Sequence, residues 1–199
     1  MPTILVASLL IIVFGPTHLV GWLAMIAVLA GNWVLHQRRV MAGDGAEQMA
    51  SLILVAAFLT LIPGFPSEAH PIAVWFIGGQ CVLAYTAAGI AKARSPAWRG
   101  GHAMTIIMGS EAHGHPWMAA FLNRYPKLAG HLTRCVIVFE CSFLPLVLGP
   151  ELIALAALGV GLLFHISCAA LMKLNTFLWA FPGTYACVWL VGEWLSPFR

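Results

Sequence analysis

The sequence predicts an all-α fold: a polytopic integral membrane bundle of about six to seven transmembrane helices, with short interfacial helices in the 94–132 loop. Three observations predict it. Hydrophobic residues make up 61% of the chain and charged residues 9%, where soluble domains average about 45–50% and about 25%. Apolar runs approaching the ~20 residues that carry a helix across a bilayer recur from end to end. The longest stretch between them, 93–132, holds Trp, Phe and Leu suited to an interface, so 1–199 reads as one transmembrane domain with no separate soluble domain.

In order, residues 3–14 are apolar but short of a full span, and Gly15-Pro16-Thr17-His18 breaks the run. This piece fits a short tilted span, a re-entrant hairpin or a packing arm. It lacks the basic region and cleavage site of a signal peptide, so its retention is expected. A helix over 19–36 ends around Asn32, His36 and Arg38-Arg39. Asp44, in the polar turn that follows, is placed to cap a helix over 46–62, which Pro63-Gly64-Phe65-Pro66 ends.

Pro71 starts a helix over 71–93, kept thin by Gly78, Gly79, Gly89 and the alanines between, so that neighbours can approach its backbone. At about 100° per residue, Cys81, Tyr85 and Lys92 share one face, and Ser95-Pro96 then stops the helix. Two short helices, 103–108 and 116–122, flank Glu111-Ala-His113-Gly-His115. A helix over 132–148 carries Glu140, and Gly149-Pro150 turns the chain into 151–173, which holds His165. Asn175-Thr176 leads into a last helix over 177–195.

Charge sets orientation and excludes partners. Arg38, Arg39, Lys92, Arg94, Arg99, Arg124, Lys127, Arg134 and Lys173 fall on alternate connections, which places the Lys92 side in the cytoplasm by the positive-inside rule. A net charge of +3 gives no footprint for nucleic acid. Cys81, Cys135, Cys141, Cys168 and Cys187 lie in or at apolar segments without a Cys-x-x-Cys, and read as small buried hydrophobes rather than a redox pair.

The ionisable residues carry the chemistry. Lys92 fits two readings: an interfacial lysine snorkelling to the headgroups, or a general base whose apolar pocket strips hydration from the ammonium. In the second, Glu140 must sit well away from it or be protonated, because a close carboxylate stabilises the ammonium. Glu140 and His165 sit mid-segment, where an ionisable group needs an interior partner; each serves structure or a site. His113-x-His115, with Glu111 and His102, raises a metal site, although the repeated helical His spacing of membrane di-iron enzymes is absent.

A resemblance joins these residues. Tyr85, Ala88-Gly89-x-x-Lys92, Trp98-x-x-Gly101-x-Ala103-Met104, Phe139-Glu140-x-x-Phe143-x-Pro145-Leu146, Phe164-His165 and Leu174-Asn175-Thr176-Phe177-x-Trp179-Ala180-Phe181 follow in order over about 32–190. Together they resemble the horizontally transferred transmembrane (HTTM) family, the membrane domain shared with vitamin K-dependent gamma-carboxylase. The resemblance implies a membrane enzyme with a carboxylase-like, lyase or oxygenase step. In it Lys92 deprotonates a quinol-like or other lipophilic substrate, and Glu140 and His165 complete the catalytic set. Tyr85, Trp98, His36 and Asn175 would bind substrate.

By the same resemblance the cofactor is a quinol, menaquinone or vitamin K-like; the expected setting is the bacterial inner (cytoplasmic) membrane. The carboxylase's lumenal propeptide-binding domain has no counterpart in these residues, so peptide carboxylation by this chain alone is not expected. The carboxylase also works on the lumenal side, opposite to the side the basic residues assign to Lys92. Two rival readings stand beside the enzyme: a non-catalytic membrane subunit with a partner polypeptide supplying substrate recognition, and a metal-dependent membrane oxidase using the His102–His115 loop.

The charge pattern yields a test. Cysteines introduced as Asp44→Cys and Glu68→Cys should label from opposite sides of the membrane in intact cells; labelling from the same side defeats the predicted topology.

Overall fold

The computed structural model describes residues 11, 13, 15, 18–37, 45–62, 64 and 66–198, without the side chains of 35 and 36. The expectations for most of 3–14, the Arg38-Arg39 helix end, the Asp44 cap, Pro63 and Phe65 lie outside the described residues.

Among the described residues the structure is helical, with no strand. Helices α1 (Leu19–Gln37), α2 (Gly45–Thr60) and α3 (His70–Arg94) come first. Short helices α4 (Pro96–Arg99), α5 (Ala103–Met108) and α6 (Pro116–Arg124) follow, then the long α7 (Pro126–Val147) and α8 (Glu151–Met172). The chain closes with α9 (Asn175–Ala180) and α10 (Tyr185–Leu195). Three stretches are long and apolar enough to cross a membrane: Ser67–Arg94, Pro126–Val147 and Glu151–Met172, with mean hydropathies of 1.5, 1.4 and 2.2. Leu19–Val34 and Gly45–Thr60 are shorter apolar helices.

Two expected boundaries move, both at prolines. The last helix is not continuous over 177–195: it ends at Ala180, turns through Pro182–Thr184, and restarts at Tyr185. Pro182 has no N–H to donate to the preceding turn, and its ring crowds that turn's carbonyl. The Glu140 helix starts earlier than 132, at Pro126, whose fixed φ suits a first helical turn.

The chain divides into two compact units, Met1–Ile77 and Gly78–Arg199. In the first, α1 lies against α2. Buried Ala24 and Val28 pack with Leu54, Trp22 meets Phe58 at 5.6 Å between ring centroids, and the Asn32 side-chain amide donates to Ser51 Oγ at 2.8 Å. That bond satisfies a polar amide on an apolar helix, as interhelical contacts in lipid require.

In the second unit, small residues set the spacing between helices. A Cβ at Gly89 would stand 2.7 Å from the Cys141 amide nitrogen, so α3 and α7 approach backbone to backbone there. Gly78 similarly faces the Cys187 carbonyl, 3.0 Å from where its Cβ would be. The loop after α3 docks on α7 through Gly101, whose φ of +81° favours glycine and whose Cβ would stand 3.0 Å from Gly130 Cα. Fully buried Thr133 pins that turn, its hydroxyl donating to the Ala129 carbonyl at 2.8 Å and accepting from the Met104 amide at 3.4 Å. Met108, Leu122 and Ala129 form a small buried core tying α5 and α6 to α7. The αα-hairpin of α7 and α8 turns at Gly149-Pro150, and Lys173, at φ 60°, ends α8 in the left-handed conformation.

The close approach at Gly89 can be tested. Gly89→Ala should lower the thermal stability of the detergent-solubilised protein, by about 1–3 kcal/mol as overpacking does. Gly79→Ala, with nothing among the described residues within 4 Å of where its Cβ would be, should leave stability unchanged or slightly raised. Equal effects of the two would remove the packing role of Gly89.

Candidate functional site

The site starts from the contact at Gly89. Lys92 stands one turn beyond it on α3, and Glu140 immediately precedes Cys141 on α7, so the close approach brings amine to carboxylate. Lys92 Nζ donates to both Glu140 oxygens, at 2.8 Å to Oε1 and 2.7 Å to Oε2. The Glu140 side chain is 4% exposed and that of Lys92 21%. Ser95-Pro96 breaks the helix just after Lys92 and swings α4 back, which sets Trp98 with its ring centroid 5.2 Å from the ammonium. Lys92 is therefore a paired lysine under an aromatic ring. The separation that a free base would need from Glu140 is not there.

Two turns earlier on the same face, about 10 Å along the helix axis, buried Tyr85 forms a second polar node. Its hydroxyl lies 2.7 Å from His165 Nε2 on α8 and 2.7 Å from the Tyr185 hydroxyl on α10. Its ring stacks on Phe143 at 3.9 Å. The His165 ring in turn stacks on Phe181 at 4.7 Å, with Phe177 next to it at 6.1 Å. His165 is only 2% exposed, and its Nδ1 is buried with no hydrogen-bond partner among the described residues.

Both nodes open on one cavity of about 500 Å³, within the range of about 300–1,000 Å³ common for small-molecule sites. Tyr85, Lys92, Trp98, Glu140 and His165 all line it, and the remaining wall is mostly apolar, with Ala88, Phe139 and Phe164 among its residues. The sequence-predicted site thus largely converges. Asn175 is exposed at the start of α9 and is not among the residues lining the cavity, while its neighbours Leu174 and Phe177 are. The side chain of His36 lies outside the described residues.

Among the described residues, no three His, Cys, Asp or Glu side chains group to hold a metal ion. In the 102–115 loop, His102 and His113 are exposed, and His115 packs edge-on to Trp117. All five cysteines are free; Cys135 is exposed, against the expectation of burial, while Cys168 is buried and lines the cavity beside the ion pair.

Sequence reading missed Tyr185 and gave Phe181, which stands in the last resembling block, no role. A signal for the first was present: of three tyrosines, Tyr85 and Tyr185 lie in apolar segments, and a buried phenol needs a hydrogen-bond partner. The stacking of Phe181 on His165 follows from the helix break at Pro182. No protein-family model, curated protein or solved structure matches the chain.

The ion pair predicts an asymmetry. Lys92→Met strands the deeply buried Glu140, whereas Glu140→Gln leaves a lysine that still reaches the edge of the cavity. The first should therefore cost more stability, toward the ~3–5 kcal/mol of a broken buried pair. Lys92→Met/Glu140→Leu should recover part of that loss. Unfolding in micelles measures all three, and equal stability of both single variants would show that burial does not govern the pair.

Proposed function

We propose that this chain is a membrane enzyme of the HTTM type, whose cavity takes a lipophilic, quinol-like molecule from the bilayer and removes a proton from it at the Lys92–Glu140 pair. One observation carries the reading. Lys92, Glu140 and His165, from three helices and three blocks of the family resemblance, line a single apolar cavity. A flat, lipid-soluble ring with a hydroxyl group suits that wall of aromatic and small apolar side chains, with polar groups at the two nodes.

The pair suits proton transfer. Away from water, an ammonium and a carboxylate lose hydration, and the pair competes with its neutral amine and carboxylic acid form. A proton moving from Lys92 to Glu140 leaves an amine able to accept the substrate's hydroxyl proton, so the pair gains one proton and the substrate keeps the negative charge. The restored ammonium then faces that charge, and Trp98 helps to hold it in place. Tyr85 and His165 orient the ligand at the other node. Bound there, a quinol would supply the reducing chemistry the resemblance implies.

The same proposal takes α1, α2 and the broken α9–α10 pair as crossing with the three long helices. That gives six spans in a bacterial inner membrane, with Lys92 toward the cytoplasm. Those crossings stand on the apolar character of the segments and the segregation of Lys and Arg.

Two experiments test the reading. Protein purified in mild detergent should carry a lipophilic hydroxylated ring compound, detectable by mass spectrometry of its extract, and Ala88→Phe should lose it by filling the cavity. A stoichiometric polypeptide partner with no small molecule would overturn the enzyme in favour of the non-catalytic subunit. Lys92→Arg should fold and keep its pairing with Glu140 yet lose deprotonation of the recovered compound by at least about a hundredfold, since positioned proton transfer contributes ~10²–10⁴. Wild-type turnover in that variant removes Lys92 from the mechanism.

A further inference from the structure

A ligand has to enter the cavity from somewhere, and the exposure of the lining residues marks the place. Tyr85, Glu140 and His165 line the cavity and are buried, so lining it does not by itself make a residue exposed. Four lining residues are exposed, and they belong to two helices only: Leu132 and Cys135 on α7, Val160 and Ser167 on α8. Those contributed by α3, α4, α5 and α9 are all half-buried or buried. The opening therefore lies between α7 and α8. Both helices are long and apolar enough to cross a membrane, so in a bilayer the opening faces hydrocarbon rather than water.

Its two lips suit that setting. Val136 and Phe139 continue the α7 stripe inward, and Phe164 and Leu171 that of α8, at spacings that keep each set on one helix face. At 1.5 Å per residue the stripes run about 10 Å along α7 and about 16 Å along α8, which fits within a hydrocarbon core of ~30 Å. None of these residues is charged, and the Ser167 hydroxyl is already donated to the Leu163 carbonyl at 2.8 Å. Cys135 and Ser167 place one small side chain on each lip. The charges stand beyond the lips, at Lys92 and Glu140, bound to each other.

Resting on the reading of the cavity as a ligand site, we infer that the gap between α7 and α8 is a lateral portal through which the ligand exchanges with the surrounding lipid, its width set by Cys135 and Ser167. Such a portal selects by charge. An ionised molecule would lose its hydration between Leu, Val and Phe side chains that offer no partner in return. The molecule that passes is thus an uncharged amphiphile, and a proton it loses is lost only after entry.

Stopped-flow exchange of a long-chain alkyl naphthol with the protein in nanodiscs tests this, because naphthol fluorescence can be excited apart from tryptophan. Cys135→Phe/Ser167→Phe should slow association and dissociation together by at least about tenfold, a rise of about 1.4 kcal/mol in the barrier, since a portal is crossed in both directions. Leu132→Ala and Val160→Ala, which trim the lips, should speed both rates. Val138→Phe and Leu163→Phe, exposed on the same helices but outside the cavity lining, should change neither. An alkyl naphthalene sulfonate of the same length should not enter. If the double variant does not fold, the two alanine variants decide. Naphthol rates indifferent to the lips, a change in dissociation alone as a wall contact gives, or entry of the sulfonate overturns the portal and leaves the cavity reading intact. Failure of the naphthol to bind the wild type overturns the cavity reading and this inference together.

Discussion

A charge placed in an apolar helix has to find its opposite, and in this protein that requirement fixes how the second unit is assembled. Glu140 sits mid-way along α7, almost wholly buried, and its two oxygens are both taken by Lys92. The bond needs α3 and α7 closer than ordinary side chains permit. Gly89 provides the approach by leaving the Cys141 amide where a Cβ would have to be. Without that glycine the lysine would start its reach from a more distant backbone. The charges and the small residue one turn away are therefore one device, and neither explains the structure alone.

The same economy holds at the other polar node. Tyr85, on the same face of α3, is met from α8 by His165 and from α10 by Tyr185, and its ring is stacked on Phe143 of α7. Four helices thus converge on one phenol. Because the hydroxyl is shared by two partners, the packing of rings around it is tied to the direction of its hydrogen bonds. The cavity between the two nodes is what remains when α3, α7 and α8 are held at both ends while small residues such as Ala84 and Ala88 line the middle.

This arrangement alters how the lysine is to be understood. Read alone, it was either a headgroup anchor or a bare amine in an apolar pocket. It is neither: a carboxylate and an indole ring hold it at the rim of a cavity. Proton transfer at such a site belongs to a pair rather than to one residue. That is why the proposed mechanism moves a proton within the pair before substrate deprotonation. The histidine at the far end is held by the Tyr85 hydroxyl and stacked on Phe181.

The sequence by itself determined the helical class, the apolar segments long enough to span, and which ionisable residues had to be inside. It did so because hydropathy, proline and glycine act locally: Ser95-Pro96 ends α3 wherever α3 lies, and Glu140 is costly in any apolar helix. The break at Pro182 was also local and readable, but the long apolar run around it masked the proline. What only the tertiary structure decided was partnership. Glu140 could have met His165 instead of Lys92, since all three needed a partner and periodicity does not rank pairs across helices. The depth of the Gly89 contact, the recruitment of Tyr185 from the far side of the Pro182 turn and the exclusion of Asn175 from the cavity came from how the helices cross. Those distances follow from the summed packing of side chains distant in sequence, and no local pattern encodes that sum.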